Sequence, residues 1–260
     1  MRELITMWRD TRMVVLTATT AALYAALMIP FKALVIIPGI TEIRPAVSLP
    51  IALSFVFGPA AAWGAAIGNL VGDIFGGMLG WGSIFGFIGN FLFAYIPYKI
   101  VKPPKLSEPL GKKRVVLIIL TSVIASIACG TVIGWGTDML GLAPFAALSN
   151  IIAFNNTIAC VILAPIIVRL IFSRVRRWNL LYPQILGEKY YQRKKTFWIG
   201  LTLLLAGCLG GYIVGNLLSI GVMHYDPMKM VLPSNQNSPI IIGTSLLPAI
   251  AMIVLSLFFL

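Results

Sequence analysis

Charged residues along this chain are gathered into a few short clusters, and long apolar stretches run between them. Met13 to Phe31 carries no charge, and a loop with Pro38, Gly39, Glu42 and Arg44 follows. From Pro45 to Tyr98 only Asp73 interrupts an otherwise uncharged run. Further apolar stretches cover Val115 to about Thr137, Pro144 to Arg169, Thr196 to about Met223, and Pro239 to Leu260. These runs are continuous rather than alternating, which predicts membrane helices and not the strands of an outer-membrane barrel. As one helix, Pro45 to Tyr98 would be roughly 80 Å long, far more than a hydrocarbon core of ~30 Å. Breaks fall where Gly and Pro collect, at Gly58-Pro59 and from Gly76-Gly77 to Gly82. The stretch therefore divides into three short helices, and the whole chain into eight.

Composition agrees. Of 260 residues, 59% are hydrophobic and 11% charged, with a mean hydropathy of +0.94. A soluble domain carries roughly 25% charged residues. The expected fold class is all-α, a polytopic membrane helix bundle, placed in the cell membrane. The net charge of +12 would suit a nucleic-acid binder, but it resides in clusters between spans. Those clusters are the N-terminus, Lys99 to Arg114, and Ser173 to Lys195. The positive-inside bias places all three at the cytoplasmic face, and nucleic acid is not an expected partner. Eight crossings with both termini cytoplasmic leave only Lys32, Arg44 and Lys229, of 20 Lys and Arg, on the outer side. The first apolar run is too long for a secretory h-region and no A-x-A-like site follows it, so it is expected as a retained span. Cys129, Cys160 and Cys208 all lie in apolar runs without CxxC spacing, which predicts small apolar packers.

Catalytic signatures are missing. Gly111-Lys112 lacks the upstream glycine of a phosphate-cradling loop, and neither H-E-x-x-H nor G-x-S-x-G occurs. With His224 as the only histidine, no His-ligated metal site is expected, and Met228 and Met230 nearby read as loop. No enzymatic activity and no cofactor are expected. The polar residues of the spans are mainly amides and tryptophans: Asn69, Asn90, Asn150, Asn155, Asn156, Trp63, Trp81 and Trp135. Such residues commonly bond helices to one another or sit at the interfaces. Gathered in one cavity, they would bind a flat, weakly charged heterocycle. Two other readings stay open: a secondary carrier coupled through Asp73, and a membrane enzyme or assembly factor whose basic segment, Arg174 to Lys195, docks an acidic partner or lipid.

The stretch from Arg44-Pro45-Ala46-Val47-Ser48-Leu49-Pro50 into Phe57-Gly58-Pro59, with Gly64, Gly68, Gly72 and Asp73 at four- and one-residue steps, is similar to a known signature. It resembles the second and third helices of S components, the substrate-binding membrane subunits of energy-coupling-factor vitamin importers. Ala18-x-x-x-Ala22 resembles the small-residue motif by which those proteins contact their transmembrane coupling subunit. The resemblance covers roughly residues 10 to 178. It implies a six-helix core at 1–178, a basic linker at 179–195, and two helices beyond the family pattern at 196–260. It also implies a small vitamin-like substrate held in an outward cavity roofed by residues 35–45. The partners implied are the coupling subunit, paired ATPases and the bilayer. Candidate substrate ligands are Glu42, Arg44, Trp81, Asn90, Trp135, Asn150 and Asn155, with Asn156 as the alternative to Asn155. Asn150 and Asn155 stand roughly 140° apart on an ideal helix, so Asn150 is expected with only one of that pair. Asn69 is expected deeper, on the packing stripe with the glycines. Asp73 is placed near the outer third of its helix, within reach of Arg44.

Overall fold

A computed structural model describes residues 2–32, 35–37, 41–42, 45–101, 111–187, 195–222 and 239–260. A short helix, α1 (Arg2–Thr6), precedes the first long one, α2 (Thr11–Lys32). Two very short antiparallel strands, β1 (Val35–Ile37) and β2 (Thr41–Glu42), follow. After a 3-10 turn at Pro45–Val47 come α3 (Ser48–Phe57), α4 (Pro59–Phe75) and α5 (Gly82–Ile100). These are the three helices expected between Pro45 and Tyr98. Next are α6 (Lys112–Met139), α7 (Phe145–Arg177), the short α8 (Tyr182–Leu186) and α9 (Phe197–Ser219). The chain ends with α10 (Pro239–Ser245) and α11 (Leu247–Phe259). Among the described residues, five helices are long and apolar enough to cross a membrane by themselves. The structure is thus a polytopic all-helical bundle, as the hydropathy pattern demands.

Packing contacts arrange the first six long elements around a ring in the order α2, α4, α5, α6, α7, with α3 closing the gap back to α2. The 3-10 turn at Pro45–Val47 touches both α2 and α7. Every residue of α3 except Leu49 is buried, and α3 also packs on α4 and α5, so this short member of the ring leans into its interior. Ten residues of helix extend only about 15 Å, half of a ~30 Å hydrocarbon core. One half of the bundle is therefore filled by a helix, and the other half is not.

Small residues set a close seam between α2 and α4. A Cβ on Gly68 would stand 2.8 Å from the Ala21 carbonyl oxygen and 3.0 Å from the Tyr24 ring. One turn earlier, a Cβ on Gly64 would stand 2.9 Å from the Thr17 carbonyl oxygen. Without a hydrophobic drive between helices in lipid, such backbone approach is what holds a pair together. Gly58, between α3 and α4, has φ of 55°, a left-handed conformation that favours glycine. The Tyr182 ring occupies the room that its missing side chain leaves, since a Cβ on Gly58 would stand 2.7 Å from that ring. The described start of the linker, residues 179–187, is thereby anchored to the core through α8.

The last two spans attach by the same means. A Cβ on Gly207 of α9 would stand 2.7 Å from the Ala249 carbonyl oxygen of α11. The pair leans on α6 and α7. The final span, expected as one helix, is two: Pro248 has no N–H to give the Thr244 carbonyl, and the chain breaks at Leu246.

At the end that collects Lys99, Lys112 and Arg174, the N-terminal α1 folds back under the bundle. Glu3 forms an ion pair with Lys99, both side chains being buried, and accepts a 2.8 Å hydrogen bond from the Tyr98 hydroxyl. The Lys99 ammonium also lies 5.2 Å from the centre of the Tyr98 ring. Burial by itself would raise the Glu3 carboxyl, but the Lys99 charge and hydrogen bond override it and hold it at about 2, against an ordinary 4.5. A lowered carboxyl pKa means that the pair stabilises the fold fully above pH 4.5 and progressively less as pH falls towards 2. Removing one member of a buried pair strands the other charge, so Glu3→Ala should cost on the order of 3 kcal/mol at neutral pH. Thermal unfolding in detergent should show a lower melting temperature for Glu3→Ala, with the gap to wild type closing below pH 4.5.

Candidate functional site

In the half of the ring that α3 does not reach, a cavity of about 480 Å³ opens. It lies at the opposite end of the bundle from the Glu3–Lys99 pair, with the turn residues Met78, Gly80 and Trp81 at its rim. Trp81 is 75% exposed there. Val47, at the head of α3, belongs to the lining, so the half-length helix supplies part of the boundary. Cys129, Ile133 and Ile152 give an apolar wall from α6 and α7.

Polar groups enter from three sides. From α2, the Tyr24 hydroxyl donates a 3.0 Å hydrogen bond to Oδ1 of Asn90 on α5. Asn90 Nδ2 in turn donates to the Gly86 carbonyl at 2.9 Å. Both side chains are buried and held in one orientation, which leaves the second Asn90 N–H as a donor. From α4, Asn69 Nδ2 donates to Asp73 Oδ2 at 3.3 Å, an i to i+4 pair on one helix face. Gly86 makes room for that pair, since a Cβ there would stand 2.9 Å from Asn69 Nδ2. From α7, Asn156 reaches the cavity while only 5% exposed, and its amide makes no hydrogen bond among the described residues. A buried amide without a partner costs roughly 1–3 kcal/mol, which a bound molecule can recover.

The candidates named from sequence separate into three groups. Trp81, Asn90 and Asn156 stand together in the cavity lining. Trp135, Asn150 and Asn155 lie outside it. Trp135 Nε1 donates to the Gly243 carbonyl of α10 at 2.9 Å, and its ring meets Phe85 edge-on at 5.7 Å. Asn150 donates to Asn216 Oδ1 of α9 at 2.6 Å and accepts from the Tyr212 hydroxyl. Asn155 is half-buried on α7, turned about 100° from Asn156. For Glu42 only the backbone is described, in β2, and Arg44 lies outside the described residues, as does His224. Asn69, expected on a packing stripe, lines the cavity, and Asp73 beside it does too. Sequence reasoning does not single out Tyr24. The signal for it is its place as an aromatic in the middle of an alanine-rich helix, on the side away from Ala18 and Ala22. Those alanines and Ala26 are exposed on the outward face of α2. All three cysteines are buried, and none is in a disulfide among the described residues.

The profile of the QueT transporter family matches residues 14–173. The chain belongs to that family. QueT transporters are S components of the energy-coupling-factor type, which agrees with the resemblance of the Gly58-Pro59 and Gly64-to-Asp73 stretches. The match ends within α7, so α9 to α11 stand beyond the family's extent. No curated protein and no solved structure gives a significant match.

Placement separates two tryptophan and amide roles that can be measured. Trp135→Ala should lower stability by roughly 3 kcal/mol, because it empties the contact with α10. Ligand affinity should stay unchanged in that variant. Asn90→Ala should instead weaken ligand binding by one to two decades, on the order of a lost 1–3 kcal/mol hydrogen-bond partner. Calorimetric titration beside melting in detergent separates the two.

Proposed function

We propose that this S component captures a queuosine precursor, a flat nitrogen-rich base, in the cavity between α2 and α4–α7 and delivers it inward. The observation that carries this reading is the convergence of Asn90, Asn156 and the Asn69–Asp73 pair on one cavity with apolar walls. Such a lining suits a planar heterocycle rich in ring nitrogens, which needs stacking surface and a few directed hydrogen bonds. The family description supplies the same substrate class. The energy comes from elsewhere: the chain has no phosphate-cradling loop, and a transmembrane coupling subunit with paired ATPases drives the cycle.

Contact with the coupling subunit falls to α2. Its outward face carries Ala18, Ala22 and Ala26 in line, flanked by exposed Val15, Leu23 and Leu27. Methyl-sized side chains at four-residue steps let a partner backbone approach closely. The cavity mouth faces outward, and the basic end, with both termini, faces the cytoplasm in keeping with the charge bias.

Two measurements check these statements. Ala18→Trp with Ala22→Trp should abolish uptake in cells supplying the whole importer while leaving ligand affinity within about twofold, since the bulk acts only on helix docking. Uptake that survives the double substitution sinks the assignment of α2. Single cysteines at Gly80 and Asn179, against the buried native cysteines, should label from outside and inside respectively. Labelling of either from the wrong side overturns the orientation.

A further inference from the structure

We infer that the basic end of α7 holds an anionic phospholipid, with the phosphate between Arg169 and Arg177 and an acyl chain along Ile158, Ile162 and Ile166. Two observations carry this, and neither involves the cavity. The first is a face. At 100° per residue, these five residues and Ser173 fall within an arc of about 100° on α7. All six are exposed. The buried stripe of the same stretch, Cys160, Ala164, Val168 and Phe172, runs round the other side of the helix. The hydrogen bonds of α9 to α7, at Ala146 and Asn150, lie more than two turns before Ile158.

The second observation is depth. With 33 residues α7 is roughly 50 Å long, and a ~30 Å hydrocarbon core takes about 20 of them. Counted from Phe145, the core ends near Pro165. Arg169 stands about one turn farther on, level with lipid phosphates, between exposed Ile166 and Leu170. A cation beside lipid chains is costly without a counter-charge. Arg169 has no hydrogen bond or ion pair among the described residues. The chain offers little nearby, since Ser173 to Lys195 contains seven Lys and Arg and one acid, Glu188.

Residue chemistry selects the occupant. A guanidinium fork takes two phosphate oxygens in parallel, with charge assistance. Arg177 Nε donates to the Ser173 carbonyl at 3.4 Å, which bends that side chain back along the helix towards Arg169. The Ser173 hydroxyl stands between the two cations as a further donor. One turn away the same face becomes isoleucine and stays so for roughly 12 Å. The molecule that fits is anionic at one end and apolar along the rest. Free phosphate and a water-soluble acidic protein each meet only half of that description.

The test uses purified full-length protein in neutral detergent micelles containing equal amounts of phosphatidylglycerol and phosphatidylcholine, with native mass spectrometry as the readout. Wild type should hold its first phosphatidylglycerol at least about tenfold more tightly than phosphatidylcholine, as one charge-assisted fork supplies. Arg169→Gln should weaken that lipid by roughly 20-fold or more. Arg174→Gln removes the same charge at a position about 140° round the helix from Arg169. It should cost no more than the roughly fivefold that any cation near an anionic surface provides. Arg169→Lys, which keeps the charge and loses the fork, should fall between the two. Inorganic phosphate in large excess should leave the lipid bound. Equal melting temperatures in lipid-free detergent should show every variant folded. If Arg174→Gln weakens the lipid as much as Arg169→Gln, the attraction is general surface charge and the inference fails. Equal retention of the two lipids by wild type overturns it, as does displacement by inorganic phosphate, which would leave an anion site without a lipid.

Discussion

The length of α3 is the constraint on which the cavity of this molecule depends. Ten helical residues between a 3-10 turn and Gly58 cover only about half the hydrocarbon thickness. Where α3 runs, the bundle interior is packed with Ile51, Ala52 and Val56 and admits nothing. Beyond its head at Val47 the surrounding helices continue, and the space between them becomes a cavity. A full-length third helix would have produced a solid bundle. The stop is chemical: Gly58 takes a left-handed turn, and Pro59 starts the next helix without needing an N–H partner.

The seam between α2 and α4 then makes one helix serve two surfaces. Glycines on α4 bring its backbone against α2, which turns Tyr24 inward to Asn90 and leaves Ala18, Ala22 and Ala26 outward. The outward alanine face and the side chain that braces the cavity thus share one helix. Tyr24 ties α2 to Asn90 of α5 through a 3.0 Å hydrogen bond, without any intervening loop.

The helices beyond the family's extent occupy a different flank. α9 and α11 join through close backbone contact at Gly207, and the pair is tied to the core by Trp135 to Gly243 and by the Asn150–Asn216–Tyr212 cluster. Side chains that a shorter chain could offer to a ligand are here consumed in helix association. Hydrogen bonds between helices in lipid are favourable because the alternative is an unsatisfied group. The outward alanine face of α2 stays clear of the addition.

Hydrophobic pattern and charge placement were enough to establish a membrane helix bundle, its breaks at Gly58-Pro59 and Gly76-Gly77, and the three helices between Pro45 and Tyr98. They suffice because the bilayer demands long apolar runs and because a helix cannot continue through such breaks. The glycine stripe at Gly64 and Gly68 and the i to i+4 relation of Asn69 and Asp73 were equally legible, being properties of one helix. Which amide meets which neighbour was not. Asn155 and Asn156 differ by about 100° of helix rotation, and sequence alone does not set that angle. Trp135 and Asn150 carry the same chemistry as Trp81 and Asn90, yet face α10 and α9 instead of the cavity. The sequence determined the helices and the polar groups available to them; the rotation of each helix about its axis, decided by close packing at small residues, chose those that line the site.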